Sequence, residues 1–318
     1  MAGIYAMRDV FIEEVYRRMF DNDRLFFVSA DFGSPKLDKL REDFGGRFVN
    51  VGIAEQNLVN VATGLALEGY TVYAYAIAPF LTMRAYEQIR NNLSLLSQTR
   101  EVNVNLVGVG AGLSYDVSGP THHCLEDLII MRALPNMHVI SPSDWVLTKK
   151  YVDYTIEVRK PKYLRLDAKP LPALYGAGDT LDLSKGFHEL ACGEGVCLVS
   201  TGFMTHKVFG LLDRMRHEGF PAGLVDVFML KPAREDLLFD VLKNYKTVIT
   251  LEEAFVNKGG LDSFVARMLD SRDSQIRLRR MGLKDEYSFS QGSRDYVHML
   301  NAIDDESIMN AVRAAMKG

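Results

Sequence analysis

Helix and strand patterns alternate along most of this chain, and this alternation narrows the folds that it can adopt. Apolar residues recur every three to four positions over about residues 7–19, and a buried strand, LFFVS, follows at 25–29. An alanine-rich helix over about residues 57–67 precedes the strand TVYAYAI, and EVNVNLVGVG is the next strand. Strands that alternate with helices are typical of a parallel sheet covered on both faces. The sequence therefore predicts the α/β class.

A segment rich in proline and glycine interrupts the alternation between residues 167 and 186. Such residues mark turns and loops, so we interpret the segment as a connection between domains. Helix and strand patterns resume after it, with VCLVS, AGLVDVFML and TVITLEE as predicted strands. We therefore predict two consecutive domains, each a mostly parallel sheet with helices on both faces, comprising residues 1–175, a linker at 176–190 and residues 191–318.

Composition argues against several classes of function. The formal net charge of the 318 residues is -4 and no basic block stands out, which argues against nucleic-acid binding. No stretch approaches the roughly 18 apolar residues of a membrane helix, and early acidic residues argue against a signal peptide. The three cysteines form no CxxC pair, which favours a reducing compartment. We therefore expect a cytoplasmic protein that binds neither nucleic acid nor membranes.

Glu55 in GIAEQN and the stripe of Phe80, Met83 and Tyr86 are the first candidates for chemistry. A glutamate at this point could carry catalysis, but it could also stabilise a helix N-terminus through the helix dipole. The stripe recurs at helical spacing, which suits a cofactor platform but is more often the apolar face of a core helix. Taken alone, neither feature decides between its two interpretations.

Two adjacent histidines, His122 and His123, follow the Gly-Pro turn of GPTHHCLED. An imidazole on a loop at a strand end can donate or accept a proton near neutral pH. The competing interpretation is that one histidine caps the following helix while the other lies at the surface. Zinc binding is disfavoured because the HHC ligands lie too close together and no second ligand pair has suitable spacing. We predict no metal site in this chain.

The order of these features is more specific than any single one. GIAEQN, ALEGY, PFLTMRAYEQIR, GPTHHCLEDL and ALPNMHVISPSD follow one another as in the pyrimidine-binding domain of transketolases and deoxyxylulose-phosphate synthases, which this chain resembles. VSTG, DVFMLKP and VITLEEAFVNKGGL resemble the transketolase C-terminal domain. The resemblance covers nearly the whole chain and implies an enzyme that uses thiamine diphosphate.

The resemblance also implies how the cofactor would be held. The family glutamate at the position of Glu55 hydrogen-bonds N1′ of the aminopyrimidine ring and favours its imino tautomer. Phe80 matches the aromatic residue that packs against that ring, and Tyr86 matches a nearby aromatic. Met83 stands where an aromatic is frequent, and a thioether still packs well on a ring face. Asp31 matches an acidic residue near the cofactor.

Substrate contacts follow from the same resemblance. His122 matches the family histidine that faces the reacting carbonyl oxygens, and it is implied as catalytic together with Glu55. His123 stands where glutamine is usual. Arg8 and Arg165 match arginines that reach a substrate phosphate, a role suited to the planar guanidinium fork.

Two positions depart from the family pattern. The chain has Gly110 where a histidine usually contacts phosphate, and Ser118 where an aspartate usually contacts sugar hydroxyls. These departures predict a donor or acceptor that differs from the ordinary pentose and hexose phosphates, with Ser118 still at the substrate. Glu253 matches no known chemistry and is predicted to be structural.

The resemblance further implies a partner chain. Complete transketolases carry a GDG motif that, with a later Asn-Asn pair, binds Mg²⁺ and the diphosphate, and this chain has neither in that arrangement. It resembles the C-terminal half of a split transketolase, whose diphosphate-binding subunit would hold the magnesium ion. An α2β2 heterotetramer acting on a sugar or sugar phosphate is the expected assembly.

Three other interpretations stay open. The β subunit of a 2-oxoacid dehydrogenase shares the cofactor glutamate but differs from the loop that contains GPTHH. Half of a deoxyxylulose-phosphate synthase shares GIAEQ, although those enzymes usually occur as one chain. A non-catalytic regulatory subunit is disfavoured because Glu55, Phe80 and His122 are all retained.

Overall fold

Two mostly parallel β-sheets flanked by helices build this chain, as a computed structural model shows for residues 3–176, 178–290 and 292–317. The predicted α/β class with two consecutive sheet domains is confirmed. The strands, in chain order, are β1 (Leu25–Ser29), β2 (Phe48–Asn50), β3 (Thr71–Ile77), β4 (Val104–Val109), β5 (His138–Ile140), β6 (Lys162–Leu166), β7 (Phe187–Ala191), β8 (Val196–Ser200), β9 (Gly223–Val227), β10 (Met229–Lys231), β11 (Thr247–Phe255) and β12 (Arg277–Leu283).

The helices cover both faces of the sheets. They are α1 (Met7–Asp21), α2 (Pro35–Asp43), α3 (Glu55–Leu67), α4 (Tyr86–Gln88), α5 (Asp127–Ala133), α6 (Trp145–Glu157), α7 (Phe203–His217), α8 (Glu235–Leu242), α9 (Leu261–Asp270), α10 (Arg294–Leu300) and α11 (Asp305–Met316). Wider helical turns at Phe80–Arg84 and Ile89–Leu95 flank α4. Among the described helices, none combines the length and apolarity needed to span a bilayer.

The first sheet contains seven strands in the order β10-β5-β6-β4-β3-β1-β2. Its six strands from the first half of the chain pair in parallel, and only β10 is antiparallel. Every residue of β1 and β4 is buried, since helices cover both faces of the sheet. This is why these strands appear in the sequence as continuous apolar runs rather than as alternating patterns.

The second sheet contains five strands in the order β12-β11-β8-β9-β7. Its edge strand β7 pairs antiparallel with β9, and the other pairs are parallel. Since β7 spans Phe187–Ala191, the last four residues of the predicted linker at 176–190 form a strand of the second sheet.

The segment AGLVDVFML, which the sequence predicts as one strand, is divided between the two sheets. Residues Gly223–Val227 form β9 in the second sheet, whereas Met229–Lys231 form β10 at the edge of the first sheet beside β5. Phe228 joins the two strands and is fully buried. The single-strand prediction is wrong here because an unbroken apolar run shows burial but not the point at which a chain changes sheets.

The carboxyl ends of β1 to β4 meet at one edge of the first sheet. In open α/β sheets, functional loops lie outside such ends. The loops that leave this edge contain Asp31, Glu55, Phe80 and His122. Glu55 is the first residue of α3, because that helix begins two residues before the predicted start.

Candidate functional site

Glu55, Arg84, Phe80 and His122 form a continuous row of contacts at this sheet edge. Nη1 of Arg84 donates to Oε2 of Glu55 at 2.6 Å. The guanidinium of Arg84 lies 5.3 Å from the centroid of the Phe80 ring, within the range of a cation–π contact. The Phe80 centroid is in turn 5.3 Å from the centroid of the His122 imidazole, in an edge-on arrangement. The structure thus brings three predicted site residues together and adds Arg84 to them.

The Glu55 carboxylate is a hydrogen-bond acceptor held at a helix N-terminus. Its side chain is only 3% exposed, whereas that of its partner Arg84 is 47% exposed. The positive end of the α3 dipole favours the anionic form of such a carboxylate. In the described part of the chain, only Oε2 takes part in a hydrogen bond. Oε1 is therefore left to accept a proton or a hydrogen bond from a bound molecule.

His122 lies on the long loop between β4 and α5, half-buried against aromatic rings. Its Nδ1 is 3.1 Å from Oγ1 of Thr121, and its ring centroid is 6.4 Å from that of Tyr115. The imidazole is held from two sides, by Phe80 and by Tyr115. A polar ring on an apolar wall, close to an acceptor carboxylate, suits recognition of a flat heterocycle and proton exchange with a neighbouring oxygen.

His123 and Ser118 occupy different environments on the same loop. His123 is buried, and its Nε2 is 3.2 Å from the carbonyl oxygen of Asp116, so its imidazole braces the loop from inside. The predicted contact of His123 with substrate is not supported by this placement, because its ring points into the protein. Ser118 is exposed at the end of the short helical turn Asp116–Ser118.

The other two members of the aromatic stripe do not share the position of Phe80. The hydroxyl of Tyr86 donates to the carbonyl oxygen of Ile130 at 2.9 Å, and its ring packs on the core of the first sheet. Tyr86 therefore ties the helical segment to α5. Met83 is largely exposed on the outer side of the segment.

Asp31 is fixed at the end of β1 by its neighbour in β2. Nδ2 of Asn50 donates to Oδ1 of Asp31 at 2.8 Å, and the backbone amide of Asp31 donates back to Oδ1 of Asn50 at 3.1 Å. The φ angle of Asp31 is 54°, a left-handed conformation that aspartate adopts more readily than most residues. Its exposed carboxylate faces the loop edge.

The two predicted phosphate-binding arginines lie in unlike surroundings. Arg8 is half-buried, with Nε 2.9 Å from Oδ1 of Asp9 and its guanidinium 6.0 Å from the centroid of Phe32. Arg165 is buried in β6, and its Nε donates to Oδ2 of Asp127 at 2.7 Å. Because its Nη2 also donates to two backbone carbonyls, this guanidinium is engaged inside the protein rather than open to a phosphate.

Some residues at the site carried no recognised sequence signal. Arg84 follows Phe80 by four positions, so the helical spacing of a cation and a ring was available as a clue. Lys169 forms an ion pair with Asp116 on the histidine loop, across 53 residues of sequence. No local pattern predicts a contact over that separation.

Comparison with known proteins matches both halves of the chain. The family model described as transketolase, pyrimidine binding domain matches residues 5–172, and that described as transketolase, C-terminal domain matches residues 188–308. One of the two subunits of the apulose-4-phosphate transketolase from Actinobacillus succinogenes is 31% identical over 312 residues, which cover 98% of each chain. A solved structure described as a split gene transketolase, inactive beta4 tetramer, has a TM-score of 0.85 at 30% identity and 99% coverage of each chain.

A longer protein is also similar to this chain. The 1-deoxy-D-xylulose-5-phosphate synthase of Syntrophus aciditrophicus is 31% identical over 316 residues. That match covers 96% of this chain but only 46% of the synthase. The subunit-sized relatives are therefore the ones that match this chain over their full length.

Proposed function

This chain belongs to the transketolase family, with the pyrimidine-binding and C-terminal domains in a single subunit, and from this premise we propose how it takes part in the reaction. The enzyme transfers a two-carbon ketol unit from a ketose to an aldose with thiamine diphosphate as cofactor. This chain holds the pyrimidine ring of the cofactor. A separate subunit holds the diphosphate group and Mg²⁺.

The observation that carries the proposal is the row formed by Glu55, Phe80 and His122. A buried carboxylate with one free oxygen stands beside a partly exposed aromatic ring, and this pair fits an aromatic heterocycle that has a ring nitrogen at its edge. The ring face packs on Phe80 while Oε1 of Glu55 holds a proton at N1′. Arg84 keeps the carboxylate anionic when no cofactor is present.

The residues of this chain have separate tasks in the reaction. When bound, thiamine diphosphate supplies the carbanion chemistry that breaks and forms the carbon–carbon bond. Glu55 manages the proton on the pyrimidine edge. His122 donates a hydrogen bond to the oxygen of the ketose carbonyl, where negative charge develops. Asp31 lies at the cofactor edge of β1, and Met83 and Tyr86 support the ring wall from behind Phe80.

Substrate recognition involves Arg8 and Ser118 at the same edge, and it differs from that of ordinary sugar-phosphate transketolases. At Gly110 the φ angle is 105°, and an added Cβ would collide with the ring of Tyr115. The aromatic ring thus occupies the space where a family histidine would contact phosphate. This supports a donor or acceptor with less phosphate character at that point.

The partner subunit is supported by the chemistry and the surface of this chain. Among the described residues, no group of three histidine, cysteine or carboxylate side chains could hold a metal ion. Ile53, next to the catalytic glutamate, is 76% exposed, and Leu67 and Met83 are further apolar side chains exposed close by. A partner that covers this apolar surface and completes the site is consistent with an α2β2 heterotetramer.

Calorimetry with thiamine diphosphate and Mg²⁺ tests the proposal, on this chain alone and on this chain mixed with a diphosphate-binding subunit. We expect tight binding only in the mixture. Transfer from a ketose donor should then be measurable, whereas turnover with a 2-oxoacid donor would favour a dehydrogenase β subunit or a synthase-like half. Tight binding by this chain alone would contradict the division of the cofactor site between two subunits.

A further inference from the structure

The loop that carries His122 is attached to the C-terminal domain by a group of buried charges. This group, the interdomain cluster, combines residues from four separate segments of the chain: Asp116, Asp167, Lys169, Glu253, Arg294 and His298. Asp116 belongs to the loop itself, and Glu253 lies near the end of β11 in the second sheet. None of these side chains belongs to the row of contacts that contains Glu55, Phe80 and His122.

Glu253 is the centre of the cluster. Its Oε1 accepts from Nε of Arg294 at 2.7 Å and lies 2.6 Å from Nε2 of His298. Its Oε2 accepts from Nη2 of Arg294 at 2.6 Å and from the backbone amide of Leu113 at 3.1 Å. Burial opposes ionisation, but Arg294 and His298 hold the pKa of this carboxyl well below its usual range. Glu253 is therefore a buried carboxylate that binds the loop directly.

A second connection runs through Arg294. Its backbone amide donates to Oδ2 of Asp116 at 2.8 Å, and its guanidinium pairs with Asp167 at 2.7 Å. The guanidinium also lies 3.5 Å from the centroid of Phe203 at the start of α7. With packing on one side and carboxylates on the other, Arg294 has little freedom to move. Asp116 is thereby held at a fixed distance from the second sheet.

Gly112 shows how closely the loop approaches the cluster. Its φ angle is 56°, and a Cβ at this position would collide with the carboxylate of Glu253. Glycine is required here both for the left-handed backbone and for the close approach. The loop is thus attached at residues 112–113 and again at residue 116, on the stretch that leads to His122.

From these contacts we propose that Glu253 and Arg294 of the C-terminal domain are positioning residues, which set the place of the His122 loop for the ketose half-reaction. The role rests on the proposed function, because His122 acts on the substrate. Glu55 and Phe80 lie on other elements, so the cluster acts on substrate chemistry and not on cofactor binding. A misplacement of about 1 Å at a reacting group can cost about 10²-fold in rate.

Hydrogen–deuterium exchange of the loop peptide over residues 110–123 provides the first test, with Glu253→Gln as the variant. We expect exchange to become at least about tenfold faster, because the loop opens locally once its attachment is weakened. Asp116→Asn removes the loop side of the same cluster and should give the same result without changing the second sheet.

Glu252→Gln is the matched control. Glu252 neighbours Glu253 on β11 and is equally buried, but its oxygens accept from the backbone amides of Leu261 and Asp262 at the start of α9. Burial raises the pKa of Glu252 to about 7, so a neutral amide is a mild replacement. This variant should lower the Tm yet leave exchange of the 110–123 peptide unchanged.

Activity of the assembled enzyme supplies the second readout. Glu253→Gln and Asp116→Asn should slow the donor half-reaction by about 10²-fold. They should change the Kd for thiamine diphosphate by no more than about twofold, as expected for independent sites. A purely structural role would lower the Tm without this split between half-reaction and cofactor affinity.

The outcomes separate the two proposals. Unchanged loop exchange in both Glu253→Gln and Asp116→Asn would overturn the positioning role, whatever the activity. Faster exchange in these variants, together with a wild-type assembly that transfers no ketol unit, would leave the attachment of the loop standing and overturn the proposed function.

Discussion

Replacing Glu55 by glutamine should separate the stability of the fold from the chemistry of the site. The variant keeps the shape of the side chain but loses the negative charge and the ability to exchange a proton. In the structure, this carboxylate is buried at the first turn of α3 and paired with a half-exposed arginine. The expected cost to folding and the expected cost to turnover can therefore be worked out separately.

The cost to folding is small. An ion pair with a partner that is 47% exposed contributes at most about 1 kcal/mol to the free energy of unfolding. The favourable position at the helix N-terminus contributes about 0.3–1 kcal/mol more. A loss of at most about 2 kcal/mol corresponds to a fall in Tm of at most about 8 °C for a chain of this size. A protein with ordinary stability stays folded after such a loss.

The cost to turnover is much larger. Proton transfer by a positioned side chain contributes about 10²–10⁴-fold to a rate. At 1.36 kcal/mol for each factor of ten, this is about 3–5 kcal/mol of activation free energy. We therefore expect Glu55→Gln to lose at least about 10²-fold in kcat with the cofactor bound. The measurements are the steady-state rate of the assembled enzyme and the Tm of the isolated chain.

Glu14→Gln is the matched control for this experiment. Glu14 is a buried glutamate on α1, and its Oε1 accepts from Nε of Arg18 at 3.0 Å, so it too loses an ion pair with a partly exposed arginine. It should show a similar fall in Tm with unchanged kcat. The assignment of Glu55 is refuted if Glu55→Gln keeps more than about a tenth of the rate, or if both variants lose rate equally.

Three further predictions concern buried and strained positions. Arg165→Met should lower the free energy of unfolding by about 3–5 kcal/mol, measured in urea, because it leaves the Asp127 carboxylate buried without its partner; a stable variant with a raised KM would instead restore the phosphate role. Gly112→Ala should destabilise more than Gly119→Ala, since both positions have positive φ but nothing lies within 4 Å of a Cβ at Gly119; equal losses in urea would contradict a close approach of Glu253. Burial raises the pKa of Asp226 to about 6, so the folded state binds the extra proton between about pH 4 and 6 and this contribution to stability is lost as pH rises through that window; Asp226→Asn should remove this fall, by about 3 kcal/mol, in Tm profiles from pH 4 to 7.

The fold was predictable because its signals are local. Alternating helix and strand patterns, with a break at a segment of prolines and glycines, are enough to indicate two α/β domains. The path of β10 was not predictable, since Val227, Phe228 and Met229 are all buried and the sequence shows no change of environment between them. Burial leaves a trace in the sequence, but the identity of the covering sheet does not.

The candidate site was predictable where one loop carries one role. Glu55, Phe80 and His122 each end a loop at the same sheet edge, and the order of motifs along the chain linked them before the structure did. Their roles, like those of Asp31, Met83, Tyr86, Arg8 and Ser118, stay predictions. Arg165 is different, because in a strand covered on both faces a pattern of residue types does not reveal what a side chain contacts.

The interdomain cluster was beyond sequence reasoning for a different reason. Leu113 and Glu253 are 140 residues apart, and Asp116 and Arg294 are 178 residues apart. A charged residue that appears isolated in the sequence gives no sign that its partner lies on another domain. Glu253 was correctly expected to be structural, but the loop that it supports could be identified only from the fold.

The exchange of β10 into the first sheet means that the two domains are not separable by a cut at their linker. A protein made of residues 1–175 alone would lack this strand, and the open side of β5 would present unpaired amides and carbonyls as a template for aggregation. The same strand makes the halves complete each other during synthesis, since the first sheet acquires its last member only after residue 231 has left the ribosome. Dissection or fusion of this chain should therefore keep residues 1–231 together as the smallest piece with a closed first sheet.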